Sequence, residues 1–180
     1  MENNDRSHFI SQLEYYDIVF VIEGEKIIIG NPHTLSDNVD LDRNKITSIP
    51  DNVVFVNTGN LWLNRVTHLG ENISFLNNGF LNLESLLNLP SSTEFKNNGF
   101  IDIRNLPKLN QGTKFENSKG VYLLSIKSDD VPDDTFFLNG GTIAFSNTNF
   151  LENHSIEAFA VKSIKMGMLM NLMRKRNLLR

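Results

Sequence analysis

The sequence predicts a mainly β chain: a short parallel β-solenoid with an N-terminal helix and hairpin cap and a C-terminal helix. Three observations predict it. Side-chain types recur in columns at a spacing of 20 residues: Phe55, Phe75, Phe95 and Phe115; Asn57, Asn77, Asn97 and Asn117; Gly59, Gly79 and Gly99; then Leu61, Leu81, Ile101 and Val121, with Leu63, Leu83, Ile103 and Leu123 two places on. Within a unit such as Phe75 to Leu83 every second residue belongs to these columns. Period two means that one face of an extended segment is buried. After the alternation the apolar spacing loosens, as in Leu86 and Leu89, and Pro90 closes the unit. A proline there stops any helix and fixes a corner. One such unit cannot bury its own apolar side, so neighbouring units must stack as coils and share it.

Taken in order, residues 1–6 are polar and expected to be loose. Segment 7–16 places Phe9, Ile10, Leu13 and Tyr16 at helical spacing. DIVFVIEGEKIIIG reads as a hairpin, Ile18 to Ile22 and Lys26 to Ile29, joined over Glu23, Gly24 and Glu25. Its apolar arms suit a cap over the open end of a stack, where core and unpaired backbone would otherwise face water. Gly30-Asn31-Pro32 breaks the chain. A degenerate first unit, VDLDRNKITSIP, has Leu41, Ile46 and Ile49 in phase with Leu61, Val66 and Leu69. The pattern slips by two residues near SDDVPDD and resumes at Phe137, Asn139, Gly141, Ile143 and Phe145. The expected division is 1–38 for the cap, 39–150 for the solenoid and 151–180 for an amphipathic basic helix. In that last segment Ile156, Phe159, Ala160, Ile164, Met168, Leu172 and Met173 sit near helical spacing. It suits a cap on the array, a docking or oligomerisation helix, or a basic tail for a membrane surface or nucleic acid.

The Asn column shares its parity with Phe and Leu, so its amides are expected inside. Buried amides need partners, and identical amides stacked coil on coil can supply them to each other. The opposite parity is expected to face out: Asn60, Phe80, Phe100 and Gly120, and beside them Trp62, Asn82, Asp102 and Tyr122. Aromatics grouped on a rigid face anchor protein interfaces. Asn60, Trp62, Phe80, Phe100, Asp102 and Tyr122 are the expected partner-binding residues. Cover by the cap elements, by a second copy of the chain or by a foreign protein would each suit that face.

Composition narrows the chemistry. With no cysteine, disulfides, thiolate zinc sites and cysteine catalysis are excluded. Lys162 to Arg180 holds six basic residues and no acid, and the remaining residues carry 11 Lys+Arg against 21 Asp+Glu. So acidic a body does not suit a nucleic-acid groove. No phosphate-binding, dinucleotide-binding or zinc-protease motif is present, and His8, His33, His68 and His154 are scattered. Asp129, Asp130, Asp133 and Asp134 could face a hard cation, but they fall where the repeat absorbs its insertion and read as a solvated corner. Asp102 is the one outward strand acid of the core units, whereas sugar cleavage needs a pair. The chain is therefore read as a non-enzyme with no metal and no cofactor.

The units resemble leucine-rich repeats. VDLDRNKITSIP is similar to that family's L-x-x-N-x-L-x-x-L-P segment, with Leu41, Asn44, Ile46, Ile49 and Pro50 in place. The later units add F-x-N-x-G, as in FLNNGFLNLESLLNLP, and put Asn64, Glu84 and Arg104 where Asn44 stands. That variant resembles leucine-rich-like repeats of bacterial and bacteriophage proteins. The resemblance covers about 60% of the chain. It implies a protein-binding module using its strand face, and one form of that is a phage or bacterial effector blocking a host complex. The alternatives are a self-assembling structural solenoid, with a homodimer through the aromatic face or the C-terminal helix, and a carbohydrate-binding module. The start MENNDRSHF has no basic region followed by an apolar run, and no stretch is long enough to span a bilayer. The expected location is cytoplasmic, a host cell's cytoplasm included.

Overall fold

The computed structural model of the chain describes residues 2–30, 38–41, 45–127, 130–146, 149–150 and 159–160. It is a parallel β-solenoid with one helix at its N-terminal end. Each coil runs through two main sheets and a third corner side. The first sheet has eight strands, in the order Phe20–Glu23, Lys26–Ile29, Val53–Asn57, Ser74–Asn77, Glu94–Asn97, Lys114–Asn117, Phe136–Asn139 and Phe159–Ala160. The second has seven, from Val39–Asp40 through Leu61–Trp62, Leu81–Asn82, Ile101–Asp102, Val121–Leu123 and Ile143–Phe145 to Asn149–Phe150. Ser48–Ile49 and His68–Leu69 pair on the third side.

Register follows the sequence columns. Phe55 pairs with Phe75, Phe75 with Phe95, Phe95 with Phe115, and Phe115 with Phe137 across the two-residue insertion. The five rings stack nearly flat, with centroids 5.2, 5.1, 4.9 and 4.9 Å apart. That is close to the spacing of about 4.8 Å between paired strands, so backbone pairing brings each ring onto the next. Leu61, Leu81, Ile101, Val121 and Ile143 line the opposite wall of the core, and Val66, Leu86, Leu106 and Ile126 fill it from the corner; all are buried.

The amides form the expected inner ladder. Asn57 Nδ2 donates to Asn77 Oδ1 at 2.9 Å, Asn77 to Asn97 at 2.8 Å, Asn97 to Asn117 at 3.1 Å and Asn117 to Asn139 at 2.9 Å. The second N–H of Asn77 reaches the Gly79 carbonyl at 3.0 Å, and that of Asn97 reaches Phe100 at 3.2 Å. The ladder thus ties each coil to the next and pins the bend between the two sheets. A further column stands at the third corner. Asn52, Asn72, Ser92 and Gly112 all have left-handed backbone, with φ of 61°, 57°, 59° and 70°. Asn, Ser and Gly suit that conformation, and their spacing of 20 residues was the available signal.

The N-terminal helix spans Glu2–Tyr15, so the expected loose start is instead helical. Arg6 Nη1 donates to the Glu25 carbonyl at 2.7 Å and anchors the early turns to the hairpin, while Phe9 and Leu13, four residues apart, are buried against the stack. The helix ends with Asp17 in the left-handed region and Ile18 N–H bonded back to the Leu13 carbonyl at 2.9 Å, a six-residue C-terminal closure. The second hairpin arm takes the place of a coil strand: Ile27 pairs with Val53 and Ile29 with Phe55, in parallel. Of the expected C-terminal helix, the structure describes Phe159–Ala160, as a strand antiparallel to Phe136–Asn139; the rest of that expectation lies outside the described residues.

Candidate binding surface

The second sheet sets Asp40, Trp62, Asn82, Asp102, Tyr122 and Ala144 in register, the positions of outward parity. At the bend just before it stand Asn60, Phe80, Phe100, Gly120 and Thr142. The four aromatics meet in two pairs across these columns. Trp62 and Phe80 contact edge to face, with centroids 5.2 Å apart at 70°. Phe100 and Tyr122 stack at 5.9 Å and 5°. Phe100 is 39% exposed, while Trp62, Phe80 and Tyr122 are half-buried. Lys119 Nζ lies 5.6 Å from the Phe100 centroid, in cation–π range.

Gly120 explains the second pair. In the coils before it the bend glycine is Gly59, Gly79 or Gly99; here Lys119 holds that position and the glycine comes one residue later. A Cβ at residue 120 would meet Phe100 Cδ1 at 2.9 Å. The missing side chain is what lets the Phe100 ring lie down toward Tyr122.

Asp102 corrects the expectation of an outward, lone acid. It is 1% exposed, and Asn82 beside it is also buried. Each folds onto the backbone two residues further along the chain. Asn82 Oδ1 accepts the Glu84 N–H at 2.9 Å, and Asp102 Oδ1 accepts the Arg104 N–H at 3.2 Å. The Arg104 guanidinium then closes over the carboxylate, with Nε 2.9 Å from Oδ1 and 3.0 Å from Oδ2 and Nη2 also on Oδ2. The hydrogen bond to Asp102, reinforced by its charge, raises the Arg104 pKa above its ordinary value. Asp102 is therefore a neutralised support under the aromatic face. Asn60 is also engaged: its Oδ1 accepts the Phe80 N–H at 2.8 Å, and its own N–H donates to Asn38 Oδ1 at 2.8 Å. Lys119, which brings positive charge to this face, and Arg104, whose charge is taken up by Asp102, were not among the expected site residues; Arg104 was visible as a base two places after a strand acid.

The outer face of the first sheet differs. Glu94 and Lys114 pair across coils at 2.6 Å, and Lys96 and Glu116 approach to 4.0 Å. The Lys114 hydrogen bond lowers the Glu94 pKa. A shallow groove of ≈ 530 Å³ runs along this face past Leu76, Asn78, Lys96, Asn98 and Leu138. A second hollow of ≈ 700 Å³ lies between the helix and the third corner, beside Arg6, His8, Glu25, Asp51 and His68. Among the described residues no group of three or more His, Asp or Glu could hold a metal ion. His68 lies on the exposed corner with Nδ1 2.9 Å from Thr67 Oγ1. Among the described residues no helix is long and apolar enough to cross a membrane.

No protein-family model, curated protein or solved structure matches the chain. Fold and surface therefore carry the functional argument: the chain is a parallel β-solenoid whose Phe and Asn ladders are internal, and whose outer aromatic group breaks the repeat.

Proposed function

We propose that the chain is a non-enzymatic protein-binding module and that Trp62, Phe80, Phe100 and Tyr122 anchor its partner. The observation that carries this reading is the grouping of four aromatics, one on each of four coils, beside Asn82 and Asp102, whose side chains are hydrogen-bonded to the backbone. Trp and Tyr are enriched among residues that dominate binding energy at protein interfaces. The backbone beneath them is tied coil to coil, so little conformational freedom is lost on association. Lys119 beside the Phe100 ring favours a partner that presents an acidic group next to an apolar centre. The resemblance to phage and bacterial repeat proteins supports a finer form of the proposal, an effector that occupies a site on a host complex.

The test is affinity capture from the native cell with three versions of the full chain: wild type, Phe80→Ser/Phe100→Ser, and Leu76→Ser on the other sheet. A partner held by wild type and Leu76→Ser and lost by the double variant supports the proposal, provided the double variant keeps its melting temperature within a few degrees. Equal capture by all three overturns it.

A further inference from the structure

We propose that two copies of this chain pair edge to edge through the hairpin strand Phe20–Glu23, about a two-fold axis at Val21. Among the described residues this strand ends the eight-stranded sheet, with Lys26–Ile29 as its one partner in it. The register is antiparallel, with Val21 opposite Ile28 and Phe20 opposite Ile29. Gly30 N–H donates to the Val19 carbonyl at 3.0 Å. Hydrogen-bonded and non-bonded pairs alternate in such a ladder. Val19, Val21 and Glu23 therefore turn their backbone groups inward, and Phe20 and Ile22 turn theirs out from the sheet edge. Side chains at this edge are also uncovered: Val19 is 62% exposed, and Val21 and Ile22 are 51% exposed each. Ile22 shares the core-side face with Ile27 and Ile29, which are fully buried. It stays open because the core ends there.

A second copy fits this edge for three reasons. First, the outward groups are two donors and two acceptors, placed symmetrically about Val21. A two-fold rotation sets Phe20 opposite Ile22 of the second copy and satisfies all four. Second, it sets Glu23 opposite Val19 of the second copy, so the strand's one acid meets no like charge. Third, the strand runs against the coils. An isologous pairing closes on itself, whereas a head-to-tail contact would propagate. At the far end Phe159–Ala160 is likewise antiparallel to its neighbour, so among the described residues neither end of the first sheet offers the parallel strand that coil-on-coil extension would continue. The pairing joins two first sheets into one and leaves both aromatic faces free.

The chain has no cysteine, so one engineered cysteine reports the contact. On the axis, Val21 of each copy forms a non-hydrogen-bonded pair with Cα atoms about 4.5 Å apart, within the usual reach of a disulfide. Ile28 points to the same face one strand in, and its two copies would be about 14 Å apart. Full-length Val21→Cys oxidised with diamide is expected to form covalent dimer at least tenfold faster than Ile28→Cys. Ile22→Pro removes an outward N–H and leaves the inward bonds intact. It is expected to sediment as a monomer with an unchanged circular dichroism spectrum, while wild type sediments at twice the chain mass at tens of micromolar. A monomeric wild type, or equal oxidation rates for the two cysteines, overturns the proposal. So does a dimer that survives Ile22→Pro and is lost in Phe80→Ser/Phe100→Ser, which would move the contact to the aromatic face.

Discussion

Phe95 and Phe100 belong to one coil, and their columns obey opposite rules. Phe95 has a phenylalanine above and below it, stacked at 5.1 and 4.9 Å. Phe100 stands in a column that reads Asn60, Phe80, Phe100, Gly120 and Thr142. Inside the stack, parallel pairing in register brings position onto position at the strand spacing, so a shape that packs once packs again. Rings lie flat on rings, and amides donate to amides. Outside the stack that reward is smaller, since exposed amide pairs such as Asn98 on Asn78 and Asn72 on Asn52 trade with water, and for charges it reverses. The outer positions of the first sheet therefore alternate, Glu94 against Lys114 and Lys96 against Glu116. The difference teaches where to look for function in a repeat: at outer positions where the pattern is broken and the replacements still contact one another.

The comparison breaks most severely at the bend glycines. A Cβ on Gly99 would overlap the Gly79 carbonyl and sit 3.1 Å from the Phe80 nitrogen. Backbone of the neighbouring coil cannot yield without opening the ladder. Gly99→Val is expected to cost more than about 3 kcal/mol, beyond ordinary overpacking, or to abolish folding, as read by urea unfolding of soluble protein.

A smaller effect is expected in the amide ladder. Asn97→Leu keeps similar bulk but strands the Asn77 donor and the Asn117 acceptor, while the Phe100 carbonyl keeps the Leu81 N–H. Each unpaired buried group costs about 1–3 kcal/mol. A net loss of about 3 kcal/mol is expected, because Leu regains some apolar burial. Replacing Asn98 next door by Leu should change stability by less than about 1 kcal/mol, since its side chain is exposed.

Much of the fold was legible because repetition shows which residues share a face. The Phe and Asn columns, the 22-residue step to Phe137 and Asn139, and the hairpin could all be read from spacing. What could not be read follows from local chemistry that parity ignores. Asp102 and Asn82 have outward parity, yet each folds its short side chain onto the backbone two residues on. The helix reaches back to Glu2 because Arg6 finds an acceptor in the hairpin turn, a contact between segments that no periodicity encodes. The left-handed corner was encoded, but by three residue types that look unalike and share one backbone tolerance. Of the surface, the aromatic group of Trp62, Phe80, Phe100 and Tyr122 was visible from the outward parity. The stacking of Phe100 on Tyr122 was not, because it depends on the glycine shift to Gly120.

The most direct test of the division between inner and outer columns is to delete the same side chain on each side of one coil. Equilibrium urea unfolding of Phe95→Ala and Phe100→Ala should give losses of about 4 kcal/mol for the buried ring and under about 1 kcal/mol for the exposed one. Equal losses from the two variants would contradict it.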